Sequence, residues 1–311
     1  MIAYDEFSMF ADNASEVGLP YPGPPEVRRV EVAAPSGGNI SALVWGTGEP
    51  ELVLIHGGAQ NAHTWDTVAL ALDIPLVAID MPGHGHSDWR SDGKYLPDVM
   101  VDDVAAAVRV LAPNARAVVG MSLGGLTAIC LAADHPELVR RLGVVDVTPG
   151  TDHVKAEPIV AFVSGPEHFA DFDEILARTI EHNPTRTESS LRRGVLHNAK
   201  ELPDGRWTWR YDPMRSWKMA KPGDAAKPGD AATDEPTGPD FNSLWPKVDE
   251  IRVPLTLYRG ARSGVVGDED VEELVRRQPG AEVVVVEGAG HSIQGDKPLE
   301  LAGLLRELIA S

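Results

Sequence analysis

The chain has almost no cysteine. Cys130 stands alone among 311 residues, which excludes an intramolecular disulfide and any cysteine-built metal centre. It lies in the apolar run LTAICLAA, the setting of a buried structural thiol. No apolar stretch approaches the roughly 18 residues needed to cross a bilayer. The opening MIAYDEFSMFADNASE lacks the basic start and apolar core of a signal peptide, so a cytoplasmic protein is expected. Positive charge is scarce as well: 28 Lys and Arg against 47 Asp and Glu leave a formal net charge of −19 and a pI near 4.9. Nucleic acid and anionic membranes would be repelled, so neither is an expected partner.

What is present is an ordinary globular composition, 43% hydrophobic and 24% charged. The length suits one large domain, or a core carrying an insertion. Short β-branched runs at 26–34, 40–46, 51–57, 75–81, 116–121, 142–148, 254–260 and 281–288 read as strands. Several are apolar throughout, as expected of parallel strands buried on both faces. Helix patterns lie near 64–72, 97–111, 123–135, 268–278 and 297–310. The alternation predicts an α/β fold: a mostly parallel eight-stranded sheet with helices on both faces, its first strands antiparallel.

The rhythm fails between 149 and 245, where four of the seven tryptophans lie. Such a block between core strands reads as an inserted, mainly helical cap. Residues 1–25 form an N-terminal extension, and 26–148 with 246–311 form the core. Within the cap, PDGRWTWRY predicts a turn at Asp204-Gly205 and a strand with Trp207, Trp209 and Tyr211 on one face. KPGDAA repeats in tandem at 221–232, and the Pro, Gly and Asp around it predict a flexible loop near 221–240.

The chemistry centres on Gly120-Met121-Ser122-Leu123-Gly124, which fits G-x-S-x-G between a strand and a helix. On such a turn a serine is exposed as a nucleophile, and the Leu123 N–H at the helix start faces developing negative charge. A serine hydroxyl needs a base. His291, in VEGAGHSIQGDKP between the last strand and the last helix, is the candidate among ten histidines. The others lack that setting; His153, His168, His182 and His197 fall in the cap, and His135 ends a helix before Pro136.

Taken together, IHGG (55–58), AIDMPGHGHSD (78–88), GMSLGG (120–125) and GAGHS (288–292), in this order, resemble the α/β-hydrolase fold superfamily. The resemblance covers 26–148 and 251–311, with the insertion where that superfamily often carries its cap. It implies a second oxyanion donor in the backbone N–H of Gly58, and a structural role for His56. Many relatives carry an acid in G-x-x-D after the strand PLTLYRG; here Gly260-Ala261-Arg262-Ser263 ends in a serine. Asp146, closing the strand LGVVD at a position some members use, is the favoured acid. Asp268 and Asp270 are alternatives, although both sit where a helix start favours acids anyway. His84, His86 and Asp88 fit an H-x-H-x-D zinc pattern, but Trp89 stands where that motif ends in histidine.

These residues predict two-step acyl transfer to water by Ser122, Asp146 and His291, with no metal or organic cofactor required. Aromatics of the cap (Phe162, Phe169, Phe172, Trp207, Trp209, Trp217) suggest an apolar lid, hence a hydrophobic small-molecule ester or lactone as substrate. The competing view makes those rings the cap's own core. Carbon–carbon or amide hydrolysis, or binding without turnover, are the other functions such a chain supports. The sequence leaves a homodimer open.

Overall fold

Short β-branched runs become strands, and the stretches between them become helices, over the residues that the computed structural model describes: 4–151, 155, 161–163, 165–183, 186–213 and 241–311. In chain order the strands are β1 (Val27–Ala33), β2 (Asn39–Trp45), β3 (Leu52–Ile55), β4 (Leu76–Ile79), β5 (Ala117–Met121), β6 (Leu142–Val145), β7 (His168–Phe169), β8 (Ala199–Glu201), β9 (Trp207–Trp209), β10 (Leu255–Gly260) and β11 (Glu282–Val286). The helices are α1 (Phe10–Glu16), α2 (Asp66–Leu72), α3 (Pro97–Leu111), α4 (Leu123–Asp134), α5 (Phe172–Glu181), α6 (Glu188–Asn198), α7 (Trp245–Glu250), α8 (Asp268–Arg277), α9 (Ile293–Asp296) and α10 (Pro298–Ala310). None of the described helices is long and apolar enough to cross a membrane.

Eight strands form one sheet in the order β1-β2-β4-β3-β5-β6-β10-β11. β1 with β2 and β2 with β4 pair antiparallel, and every later pair is parallel. The central strands β3, β4, β5 and β6 are buried at every position, which is why their sequences are apolar without alternation. One face packs on α3 and α4 through Val104, Val108, Leu126 and Ile129. The other packs on α2 and α10 through Val68, Leu72, Leu301 and Leu305. Each such side chain contributes roughly 1.5–3 kcal/mol by leaving water. Strand order reverses between β3 and β5, and a crevice opens beyond the carboxyl ends of strands at such a reversal.

The cap holds α5, α6 and a three-stranded antiparallel sheet, β7-β9-β8, so among the described residues it is not purely helical. The turn at Asp204-Gly205 forms, with the Leu202 N–H donating to the Arg206 carbonyl at 2.7 Å. Trp207, Trp209 and Tyr211 share one buried face. Phe241, Leu244 and Trp245 belong by packing to the core, where they join the α4 side of the sheet. The KPGDAA tandem, Trp217 and His153 lie outside the described residues. The N-terminal extension is tied down: Asn13 and Glu16 of α1 accept bonds from Arg193 of the cap helix α6.

Candidate active site

Four non-glycine residues among those described adopt positive φ: Ala59, Asp73, Ser122 and Asp146. A side chain disfavours that conformation, so it persists only where the surroundings impose it. Ser122 stands at φ 52°, ψ −121° between the end of β5 and the start of α4. Its N–H donates to Val145 at 3.0 Å, and its carbonyl accepts from Leu126 at 3.0 Å. The turn is tight because the two motif glycines are pressed against backbone. A Cβ on Gly120 would lie 2.1 Å from the Gly124 carbonyl oxygen, and one on Gly124 would lie 2.3 Å from that of His56. The spacing of G-x-S-x-G thus follows from steric contact with β3 as well as from the turn itself. Leu123 is the first residue of α4, which places its N–H at the positive end of the helix dipole.

The loop after β3 is built from the inside outward. The Met81 N–H donates to His56 Nε2 at 3.0 Å, so the ring proton is on Nδ1, which donates to the Gly57 carbonyl at 2.7 Å. Complete burial lowers the His56 pKa and keeps the ring neutral, against the opposing pull of Asp80. A trans peptide carries its C=O and N–H on opposite sides. Holding the Gly57 carbonyl on the His56 side therefore turns the Gly58 N–H away from that ring. Gln60 Oε1 accepts from the Gly57 N–H at 3.1 Å, which fixes the preceding peptide as well. Gly58 borders Leu123, whose side chain would lie 3.7 Å from a Cβ added there, and Gly57 borders Ser122.

Asp146 is fully buried at the end of β6, with φ 51°. Its Oδ1 accepts from the Gly260 N–H at 2.9 Å, and its Oδ2 lies 2.8 Å from His291 Nδ1. The same Oδ2 accepts from the Ser263 hydroxyl, which itself accepts from the Val265 N–H at 3.1 Å. The serine in the place of an acid thus donates to the carboxylate that the neighbouring strand supplies. A buried charge with three donors is compensated rather than stranded. The loop carrying His291 is steadied by Asp296, whose carboxylate accepts from the Gly290 N–H at 2.8 Å.

The remaining candidates lie elsewhere. Asp268 is exposed and pairs with Arg259 at 2.6 Å. Asp270 is buried but bonds Lys155 at 2.7 Å and the Gly267 N–H at 2.7 Å. His84 donates to the Pro82 carbonyl at 2.9 Å, while Asp88 is exposed and accepts from the Asn39 N–H. Among the described residues these do not converge as ligands; the group that does is His63, Asp66 and His197. Four of the cap aromatics, Phe169, Phe172, Trp207 and Trp209, are 2–7% exposed and pack on one another, with Phe162 against them. Their burial is that of a cap core, the competing view of these rings, and the cluster they form also takes in Ala59 of the loop after β3. Ser263 and Asn198 bond partners remote in the chain, Asp146 and Ala59, so nothing local in the sequence pairs them, and Gln60 bonds the Gly57 N–H three residues before it without a motif that marks it.

The likeness extends beyond this constellation. A family model described as "Alpha/beta hydrolase family" matches residues 52–304. Esterase Rv0045c of Mycobacterium tuberculosis is 44% identical over 312 residues, covering 98% of this chain and 96% of that protein. The structure titled as the crystal structure of that esterase superposes with a TM-score of 0.83 at 43% identity over the whole of both chains. A 3-hydroxybutyrate-oligomer hydrolase of Cupriavidus necator is 29% identical, covering 89% of this chain and 96% of that protein. With the sheet order, the strained serine and these matches in agreement, the chain belongs to the alpha/beta hydrolase family.

Proposed function

We propose that the protein is a serine esterase that cleaves a small-molecule carboxylic ester through an acyl-enzyme intermediate. His291 takes the proton of Ser122 as the hydroxyl oxygen attacks the ester carbonyl. Asp146 holds the imidazole with its proton on Nδ1 and stabilises the charged ring, without itself being protonated. The N–H groups of Gly58 and Leu123 receive the oxyanion, each worth roughly 3–4 kcal/mol to the transition state. His291 then protonates the leaving alcohol, and water repeats the sequence to free the acid. The observation that carries this reading is the 2.8 Å contact of the buried Asp146 with His291 Nδ1, in a molecule whose Ser122 is held in a strained turn.

Ester cleavage, rather than another hydrolysis, is supported by the relative named as an esterase, which is alike over nearly the whole of both chains. A panel of p-nitrophenyl esters of graded acyl length, with a lactone and an anilide alongside, tests the reading. Wild type is expected to turn over esters fastest, and Ser122→Ala to fall to background and escape labelling by an organophosphonate. Turnover by Ser122→Ala would reject the nucleophile. Preference for the anilide would reject the ester.

A further inference from the structure

The loop that presents Gly58 is held from the core on one side and from the cap on the other. On the core side, His56 fixes the Gly57 carbonyl. Beyond Gly58 comes Ala59, at φ 58° and 6% exposed. Glycine is the residue suited to that backbone, since a Cβ strains it. The methyl is nevertheless placed, because it packs into the cap's aromatic cluster with Phe169, Trp207 and Trp209. The Ala59 carbonyl accepts from the side-chain amide of Asn198, the last residue of α6, at 2.6 Å. Asn198 Oδ1 in turn accepts from Asn61 Nδ2 at 3.1 Å, and Asn61 caps the short helical turn Ala62–Trp65 through the His63 N–H. One cap amide therefore bridges residues 59 and 61. Its own backbone is anchored, since its carbonyl accepts from the Arg210 N–H at 2.8 Å.

We infer that Asn198 is a positioning residue of the oxyanion loop: the cap, through this amide, holds Ala59 in its strained turn and so keeps the Gly58 N–H aimed at the reacting carbonyl. The inference rests on the esterase reading above and deepens it. The Gly57–Gly58 peptide, which carries that N–H, is held at its carbonyl by His56, and the Ala59–Gln60 peptide is held by Asn198; releasing the second frees the backbone turn at Ala59, through which strain reaches the Gly58 N–H. A donor displaced by about 1 Å from a developing charge costs up to a hundredfold in rate. The ground-state ester, whose neutral carbonyl draws little on that donor, is bound almost as before.

The test compares wild type, Asn198→Ala, Asn198→Asp and Ser122→Ala. Asn198→Asp keeps the side-chain size but presents an acceptor to the Ala59 carbonyl. Rates on p-nitrophenyl acetate are read together with melting curves and affinity for phenyl trifluoromethyl ketone, which adds to the serine as a tetrahedral anion. Both Asn198 variants are expected to lose about ten- to a hundredfold in kcat with KM within about twofold. Ketone affinity is expected to fall by the same factor. Should Asn198→Ala melt below the assay temperature, Asn198→Asp decides. Wild-type kcat in Asn198→Asp, or a lower kcat with unchanged ketone affinity, overturns the positioning role while Ser122→Ala remains inactive. Activity in Ser122→Ala overturns the esterase reading instead.

Discussion

Asp146 Oδ2 serves two donors at once, the ring of His291 and the hydroxyl of Ser263. Asp146→Asn would leave the shape but present an amide to Nδ1, forcing the wrong tautomer; kcat is expected to fall about 10⁴-fold, as in the best-studied triad. An unchanged kcat would remove Asp146 from the mechanism. Ser263→Ala is a milder change. A hydrogen bond to a charged group contributes about 1.5–3 kcal/mol, and this change removes one of the three that the carboxylate accepts while leaving its bond to His291. Ser263→Ala is expected to lower kcat by much less than Asp146→Asn does, and a fall equal to that of Asp146→Asn would contradict this ranking. Gly124→Ala is a steric matter: its Cβ would lie 2.3 Å from one backbone oxygen and 2.6 Å from another. Backbone cannot yield as a side-chain tip does, so a loss above about 3 kcal/mol is expected, read as a fall in melting temperature.

Among elements, the segment before α1 is the least expected contributor. Tyr4 bonds His197 Nδ1 at 2.9 Å and Glu6 pairs with Arg29 at 2.6 Å, so the extension fastens core and cap together. At the centre His63 stacks on His197, ring centroids 3.8 Å apart, with Asp66 and Glu6 at its two nitrogens. Burial opposes charging of His63, but Asp66 beside it and the bonds to Asp66 and Glu6 outweigh burial and push its pKa up to about 9. Because the folded pKa lies above the unfolded value of about 6.5, the stabilisation is complete below pH 6.5 and is lost as pH rises through about 9. Across that window the loss is at most about 3 kcal/mol. Denaturation at successive pH values is expected to show this decline in wild type and its absence in His63→Gln. Equal slopes in both proteins would assign the decline to other groups.

On the scale of the whole molecule, a net charge of −19 makes the compact state repel itself. Raising ionic strength from about 10 to 150 mM shortens the Debye length from roughly 30 to 8 Å, and the melting temperature is expected to rise. A fall would show that local ion pairs such as Arg90–Asp103, at 2.5 Å, outweigh the net repulsion.

The central strands β3 to β6 were legible because strands buried on both faces must be apolar runs, and the serine turn because close backbone leaves only glycine at two fixed positions. The placement of Asp146 at a strand end was legible for a similar reason: a carboxylate interrupts an apolar run only where the sheet stops. The cap aromatics left two readings open, since clustering in sequence says that rings will bury, not against what. No local rule joined Asp146 to His291 across 145 residues, set Ser263 on the same oxygen, or brought Asn198 to Ala59. The sequence by itself determined the fold class and the residue types of the candidate site, because steric fit and burial act on each segment where it stands. Only the tertiary structure decided which donors meet which acceptors, because hydrogen bonds reach about 3 Å in space and take no account of separation along the chain.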